Sequence, residues 1–438
     1  MSEATAMQGV ARTLTLKDLE AAVLGSAAFR CRRRLQPGGG EGDKVFPPTF
    51  MGAVYAVEQR RVPGREQPVT CVMLDSVQSQ ANRMEQALQE ALDAGEIELP
   101  TVEVDFSGAD LPEPVQKVTS LQVPHRVADA ILRDSEHEGT AFRRSSVALS
   151  LNQATPLNAT PIYRLCPTAL VFGMWDSTGP KGGLGAKFER AMVSEVTGFE
   201  ASLADFHRSR GVRRDPLEAS KSVPIVKNED GSWRVADDPK QKGVVRPSEV
   251  NHGSVPFESE NAGVTVGYAE QVTTLSLICL RRLRFPLDGH GADSALDGAG
   301  RTVLAALALC AATLAFDAGM GLRSRCLLWP DSPMRWDLLA SPGKPPETFV
   351  LDGSAAKKLL AEAIAAAEQA GLIWQKERVT LNLLPGGKAV WAGGQVVGAA
   401  RDRRSVSAGH IVGAARDSGV KPAGSVELAA RNRRPSCR

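Results

Sequence analysis

The sequence predicts an α+β fold in which strands and amphipathic helices alternate along the chain. The first indication is the apolar, β-branched run at 69–74 (VTCVML), typical of a buried strand, which precedes a segment with apolar residues at helical spacing. The second is the region 264–384, where two amphipathic helices alternate with strand-like segments. This order predicts a two-layer sandwich of the ferredoxin-like or RNA-recognition type. With 438 residues, 43% of them hydrophobic, the chain can bury a substantial core.

A short helix is predicted at 14–24, because Thr15 precedes Asp18 by the three positions of a capping box and the apolar residues share one face. The next segment, 30–42, is rich in Arg and Gly. It predicts a mobile connector, so that residues 1–44 form an N-terminal helix and a flexible connector. Four arginines of the connector fit a nucleic-acid contact or a solvated loop equally well: Arg30, Arg32, Arg33 and Arg34.

The strand at 69–74 is predicted to lead into a helix that Asp75 or Ser76 caps and that ends at Gly95. Its first two turns carry hydroxyl, amide and guanidinium groups. The free N–H groups and the positive dipole end of a helix N-terminus favour phosphates there, although an ordinary polar helix face has the same composition. The residues of this first predicted contact strip are Ser79, Gln80, Asn82 and Arg83.

A strand is predicted at 101–106 and a helix at 124–138, with apolar residues on one face of the helix and basic residues elsewhere. His125 and Asp129 are four positions apart. With no nucleophile nearby in the sequence, this spacing suits a hydrogen-bonded pair or a phosphate contact better than acid–base catalysis. The second predicted contact strip consists of His125, Arg126 and Arg133.

Residues 167–188 (PTALVFGMWDSTGPKGGLGAKF) carry the sharpest local signal. A strand at 169–175 is predicted to enter a loop of glycines, which let a backbone approach a ligand closely, and lysines, which complement anionic oxygens. Neither GxxxxGK[ST] nor GxGxxG is present, which argues against an ATPase or dehydrogenase loop. The loop suits either a polynucleotide backbone or a plain glycine turn. The third predicted strip contains Ser177, Thr178, Lys181, Gly182, Gly183, Lys187 and Arg190.

Further along the chain, residues 206–256 are polar and irregular, as in a long insertion. The C-terminal part predicts helices at 300–318 and 354–370, and strands at 324–329 and 378–384. There is no RNP1-like string, and the chain has only three tyrosines. Stacking of bases on a sheet face is therefore not expected.

The formal charge of +2 is unevenly distributed. Residues 386–438 contain ten Lys/Arg and three Asp/Glu, which is a net +7 and leaves −5 on residues 1–385. This Gly/Ala/Arg-rich tail has no hydrophobic periodicity. It is predicted to be disordered, and a basic arm that adds phosphate affinity is the alternative.

Composition also indicates a reduced, cytoplasmic protein without a metal or cofactor. The seven cysteines never form CxxC, and the six histidines form neither HxxxH nor HExxH. The most apolar run, 303–316, is shorter than the roughly 20 residues that cross a bilayer. No secretory signal is expected, because the N-terminal residues include Glu3 and lack an apolar stretch.

Four motifs together resemble one protein family. They are DSVQSQANRMEQAL (75–88), PHRVADAILRDS (124–135), CPTALVFGMWDSTGPKGGLGAKFERAMVSE (166–195), and YAEQVTTLSL with RRLRFP (268–277 and 281–286). In this order, over about residues 45–385, the chain is similar to the CRISPR-associated RAMP-superfamily backbone subunit of type I-G (formerly I-U) Cascade effector complexes.

The resemblance implies a right-hand shape, with a palm that is a modified RNA-recognition fold and inserted finger and thumb elements. The segments near 107–165 and 206–256 are the candidates for these insertions. Copies of the chain would line up head to tail along the spacer of a CRISPR RNA (crRNA) and hold it for pairing with a target DNA strand in antiviral defence. A subunit repeated along guides of every sequence must bind phosphates and sugars and leave the base edges free.

The resemblance also implies partners and a division of labour. The large subunit and the repeat-processing subunit of Cascade would be neighbours, and a helicase-nuclease recruited after target binding would cut the target. The chain itself is expected to be non-catalytic. Because related subunits in type III complexes cut bound RNA with a loop aspartate and a divalent ion, the alternative is a metal-dependent endoribonuclease that uses Asp176.

Overall fold

The computed structural model describes residues 11–51, 54–107, 116–177, 185–203, 209–213, 223–250, 255–257, 263–287, 291, 293–383, 390–392 and 395–397. The described residues all belong to one compact unit. The fold is mixed α and β with several sheets, which is compatible with the predicted α+β class.

The helices and strands have the following bounds. The helices are α1 (Leu16–Gly25), α2 (Val77–Asp93), α3 (Ala130–Arg133), α4 (Ser146–Asn152), α5 (Thr160–Leu165), α6 (Thr168–Phe172), α7 (Leu277–Leu280), α8 (Ser294–Phe316) and α9 (Gly353–Gln369). The strands are β1 (Arg12–Thr13), β2 (Ala28–Pro37), β3 (Thr49–Phe50), β4 (Val54–Tyr55), β5 (Val57–Arg60), β6 (Val69–Asp75), β7 (Val102–Asp105), β8 (Lys117–Thr119), β9 (Ser135–His137), β10 (Thr140–Ala141), β11 (Met174–Trp175), β12 (Lys187–Phe188), β13 (Met192–Phe199), β14 (Ser202–Leu203), β15 (Ser209–Arg213), β16 (Ile225–Lys227), β17 (Trp233–Val235), β18 (Val255–Phe257), β19 (Val264–Thr265), β20 (Tyr268–Ser276), β21 (Met320–Arg323), β22 (Cys326–Pro330), β23 (Arg335–Leu339), β24 (Glu347–Val350), β25 (Val379–Leu383), β26 (Val390–Ala392) and β27 (Gln395–Val397).

The largest sheet of the described residues has ten strands, in the order β1-β24-β23-β2-β20-β13-β6-β5. The C-terminal half of β2 also pairs with β22, and β22 pairs with β21. From β22 through β2, β20 and β13 to β6, every neighbouring pair is antiparallel. A second sheet has the order β10-β9-β25-β7-β8.

The segment predicted to be a connector is instead a central strand of the large sheet, so the prediction of a mobile connector at 30–42 is wrong. In β2, buried residues alternate with more exposed ones, which is the period of a strand with one face in the core. The pattern is hidden in the sequence because Arg33 occupies a core position. Its guanidinium donates to the carbonyl of Phe316 at 2.7 Å and to Gln271 at 3.1 Å, so a charged residue is accommodated inside.

Two further predictions about secondary structure are wrong. The helix expected at 124–138 is replaced by a 3-10 turn at Arg126–Ala128, α3 and β9, because Arg126 has φ 53° and Asp129 is extended. The strand expected at 169–175 is α6 followed by the two residues of β11. An apolar run that is buried on all sides has no period that separates a short helix from a strand.

The predicted caps of two helices are confirmed. Thr15 and Asp18 form the capping box of α1, with reciprocal side-chain bonds to backbone N–H groups. Helix α2 starts after Ser76, whose hydroxyl accepts from the backbone N–H of Ser79 at 3.3 Å. Both helices pack against α8, so the helix layer is anchored on one central element.

Helix α8 begins six residues before the predicted start at Gly300, with Asp293 as its N-cap. Among the described residues it is the one helix long and apolar enough to cross a membrane, and 83% of its 18-residue apolar window is buried inside the protein. It is the core helix of this unit. Gly300 lies where α8 meets Phe285 and Leu372: a Cβ at this position would stand 2.7 Å from Phe285 Cδ2 and 2.9 Å from Leu372 Cδ2.

This contact yields a test of the core. Gly300→Ala is expected to destabilise the fold by about 1–3 kcal/mol, because the added methyl overlaps two fully buried side chains. The matched control is Gly298→Ala, where the nearest atom is 4.0 Å away. The control should stabilise by about 0.5–1 kcal/mol through helix propensity. Urea unfolding measures both, and equal effects at the two positions would contradict the packing described here.

Candidate nucleic-acid interface

One groove of about 430 Å³ brings together described residues of the second and third predicted strips. We call it the hairpin groove, because β11 and β12 form one of its walls. The residues that matter most for its chemistry are His125, Arg126, Trp175, Ser177, Lys187 and Arg190. The glycine-rich connection between β11 and β12 includes 178–184, so the predicted contacts Thr178, Lys181, Gly182 and Gly183 lie outside the described residues.

The hairpin of β11 and β12 has one buried face and one exposed face. Met174 pairs with Phe188, and both are buried, whereas Trp175 pairs with Lys187, and both are exposed. The Lys187 ammonium lies 5.6 Å from the centroid of the Trp175 ring, within the range of a cation–π contact. The hairpin therefore presents a cation and an aromatic ring together.

Gly173 makes the sharp entry into this hairpin possible. Its φ is +84°, and a Cβ would lie 2.8 Å from Arg190 Cγ and 3.2 Å from the carbonyl oxygen of Phe188. The neighbouring carbonyl of Phe172 accepts a hydrogen bond from Arg190 Nε at 3.2 Å, which leaves the terminal guanidinium nitrogens of that exposed residue free of described partners. Arg190 is thus held through Nε, and its terminal nitrogens are available to a ligand.

Arg126 lies at the floor of the groove, and its side chain is bound by acceptors in the core. It is 7% exposed, and both Nε and Nη2 donate to the carboxylate of Glu85 on α2, each at 2.7 Å. Nη1 donates to the carbonyl of Gly173 at 2.9 Å. With these nitrogens engaged, the predicted phosphate contact of Arg126 is replaced by a positioning role. Burial raises the pKa of Glu85 to about 7, and the adjacent Arg126 guanidinium opposes that shift.

The first strip is divided between the core and a different hollow. Gln80 is fully buried: its amide nitrogen donates to Asp75 at 2.7 Å, and its oxygen accepts from the Ser194 hydroxyl at 2.8 Å. Arg83 donates to Asp75 at 2.9 Å and to the carbonyl of Leu322 at 2.6 Å. The prediction of an outward phosphate contact is therefore corrected for Gln80. Ser79 and Asn82 line a hollow of about 490 Å³ beside β21, apart from the hairpin groove.

Arg133 does not line the hairpin groove either. Its guanidinium donates to both carboxylate oxygens of the adjacent Asp134, at 2.7 and 2.6 Å. A charge that is neutralised by its sequence neighbour attracts a phosphate less than an unpaired one. Of the second strip, His125 is thus the residue that is exposed at the groove.

Asp176, the residue of the alternative catalytic hypothesis, is 8% exposed and faces Arg143. Both of its carboxylate oxygens accept from that guanidinium, one of them at 3.0 Å. Within the described part of the chain, no group of three or more His, Cys, Asp or Glu side chains could hold a metal ion. In this arrangement the Asp176 carboxylate is committed to an ion pair.

Sequence reasoning missed Trp175 as a surface residue, since it was expected to belong to a longer strand. The signal that could have found it is the alternation of the two-residue strands that flank the glycine loop. The outer face of β2 was also missed. There Arg32 pairs with Glu270 at 2.9 Å, Arg30 with Asp337 at 3.2 Å, and the Arg34 guanidinium lies 4.3 Å from the Tyr268 ring. These arginines have partners within the sheet.

One comparison with known proteins gives a match. The family model described as CRISPR-associated protein GSU0053 matches residues 29–203, about 40% of the chain. The matched residues include the whole hairpin groove, from Pro124 to Arg190. The match supports a CRISPR-associated protein with a role in CRISPR defence. No curated protein matches the chain.

The buried pair beneath the groove can be tested by a double-mutant cycle. Arg126→Ala is expected to destabilise the fold by about 3–5 kcal/mol, because it leaves the Glu85 carboxylate buried without its partner. The loss of stability in the double variant, with both Glu85→Ala and Arg126→Ala, should be smaller than the sum of the losses in the two single variants. Denaturant unfolding of the four proteins gives the coupling, and strictly additive losses would contradict the pairing.

Proposed function

We propose that this protein is the non-catalytic backbone subunit of a type I CRISPR effector complex, of the I-G subtype, and that it binds the crRNA spacer through its sugar-phosphate backbone. The observation that carries the proposal is the hairpin groove, where His125, Lys187 and Arg190 are exposed together. No carboxylate among the described residues forms an ion pair with Lys187 or Arg190. Unpaired cations along one groove are what a polyanion of any sequence requires.

The groove supports backbone contacts because of the groups that it offers. It offers a lysine ammonium, the tip of an arginine and an imidazole, which attract or donate to phosphate oxygens, and Ser177 adds a hydroxyl. The nearest acidic side chain in sequence, Glu189, pairs with Arg282 at 2.5 Å. The positive groups of the groove are therefore not cancelled by that neighbour.

The strand order of the large sheet supports a palm of the RNA-recognition type. Taken in chain order, β2, β13, β20 and β22 are the first to fourth strands, and in space they lie in the order fourth, first, third, second. Helix α2 falls between the first and second of these strands, and α8 between the third and fourth. This order is consistent with the β-α-β-β-α-β connectivity of ferredoxin-like domains, with β6 added beside β13, and it supports the proposed palm.

Further parts of the proposal rest on the resemblance set out above. Copies of the chain would line up head to tail on the guide and present it to the target DNA strand in the cytoplasm. The large subunit and the repeat-processing subunit would flank them, and a separate helicase-nuclease would cut the target. The engagement of both Asp176 oxygens by Arg143 favours this non-catalytic role over metal-dependent RNA cleavage.

The experiment removes the two cations of the groove. Lys187→Ala with Arg190→Ala should weaken binding of single-stranded RNA by about ten-fold, equally for different spacer sequences, because both side chains meet phosphates. The slope of log affinity against log salt should become shallower by about 0.7 for each lost contact. Filter binding or fluorescence anisotropy at several salt concentrations measures both quantities.

The matched control is Lys358→Ala with Lys376→Ala, which removes two exposed cations from elsewhere on the chain. The control should leave the salt slope unchanged. A loss of affinity that varies with the spacer sequence, or an equal effect of the control, would contradict phosphate binding by the groove.

A further inference from the structure

We infer that Trp175 stacks on an unpaired nucleobase, so that the hairpin groove recognises single-stranded nucleic acid rather than phosphates alone. This inference rests on the proposed function and adds a second kind of contact to the same site. Stacking of bases on a sheet face was not expected, and Trp175 lies apart from the large sheet, on the two-stranded β11–β12 hairpin.

The first argument is the exposure of the ring. Trp175 is 57% exposed, whereas its sequence neighbours Met174 and Asp176 are buried. Its partner across the hairpin is Lys187. A large aromatic side chain held out of the core keeps apolar surface in water, which is unfavourable unless a ligand or partner covers it. The position is enforced, because alternation in β11 directs Met174 into the core.

The second argument is that groups able to bind phosphate lie beside the ring. Lys187 lies 5.6 Å from its centroid, and His125 and Arg190 line the same groove. A strand of nucleic acid presents phosphates and bases at adjacent positions, and sites for single strands combine cations with aromatic rings for that reason. Stacking is tolerant of sequence, because every base has a π-face, so it is compatible with guides of any spacer.

The third argument is that the hairpin carrying Trp175 is held firmly by buried residues. Met174 and Phe188, which pair across the hairpin, are 8% and 5% exposed, and Gly173 is tied to the core through Arg126. A stacking residue that is already held in place loses little conformational freedom when a ligand binds. A base in a duplex is already stacked on both sides, so an exposed ring offers little to double-stranded RNA.

The experiment measures binding of the full-length protein to a mixed-sequence single-stranded RNA of about 12 nucleotides, within the range of known single-strand sites. Trp175→Ala should weaken binding by about ten-fold without changing the salt slope, because no ionic contact is lost. Trp175→Phe should retain most of the affinity. The matched control is Trp329→Ala, which removes a ring of similar exposure (54%) on β22, outside the groove.

A second probe isolates the base. With an RNA of the same length in which the bases are removed but the phosphates remain, Trp175→Ala should cause no further loss relative to the unsubstituted protein. An equal loss on the baseless probe, or no loss on the normal RNA, would overturn the inference. If Trp175→Ala left RNA binding intact and instead weakened self-association in sedimentation, the ring would be a protein contact and the inference would be wrong.

The two proposals fail in different ways. Unchanged binding and salt slope for the Lys187 and Arg190 substitutions would remove the groove from the proposed function altogether. Unchanged binding for Trp175→Ala alone would remove only the stacking contact and leave the phosphate contacts standing. Circular dichroism of each variant establishes that the surface substitutions leave the fold intact.

Discussion

The ion pair between Arg126 and Glu85 is the constraint on which the candidate site depends. Glu85 projects from the inner face of α2, and Arg126 sits in a left-handed backbone conformation, with φ 53°, that a side chain tolerates only when its surroundings hold it there. The third bond of the guanidinium, to the carbonyl of Gly173, fixes the start of the hairpin. The helix layer and the exposed groove are thereby joined through one buried side chain.

This arrangement separates two uses of arginine. Inside, Arg33 and Arg126 satisfy carbonyl, amide and carboxylate acceptors and stabilise the packing of strands on helices. At the groove, Arg190 is anchored by a single bond to a carbonyl and keeps its tip exposed. The net charge of +2 says little about binding, because most cations of the described region have an acidic or carbonyl partner, and what matters is that Lys187 and Arg190 lie in one groove.

Much of the framework could be predicted from the sequence, and the reasons for the failures are physical. The capping box of Thr15 and the start of α2 after Ser76 are local features, and local chemistry indicates them. Gln80 and Arg126 were assigned to the surface because polar type was taken as a sign of exposure. Instead, Arg126 donates to the buried carboxylate of Glu85, and the buried amide oxygen of Gln80 accepts from the distant Ser194 hydroxyl. Trp175 was hidden because a run of apolar residues does not indicate where helix gives way to strand.

Arg83 illustrates how one side chain can occupy backbone acceptors of a strand and so disfavour its pairing with another chain. Among the described strands β21 pairs with β22 alone, and Arg83 donates to the carbonyls of Gly321 and Leu322 in β21. An open strand edge is a template for pairing with any other extended chain. A protein whose copies are concentrated side by side on one RNA would be especially prone to such misassociation. The guanidinium of Arg83, held by Asp75, occupies acceptors of β21 that another extended chain would need, which disfavours pairing with this strand.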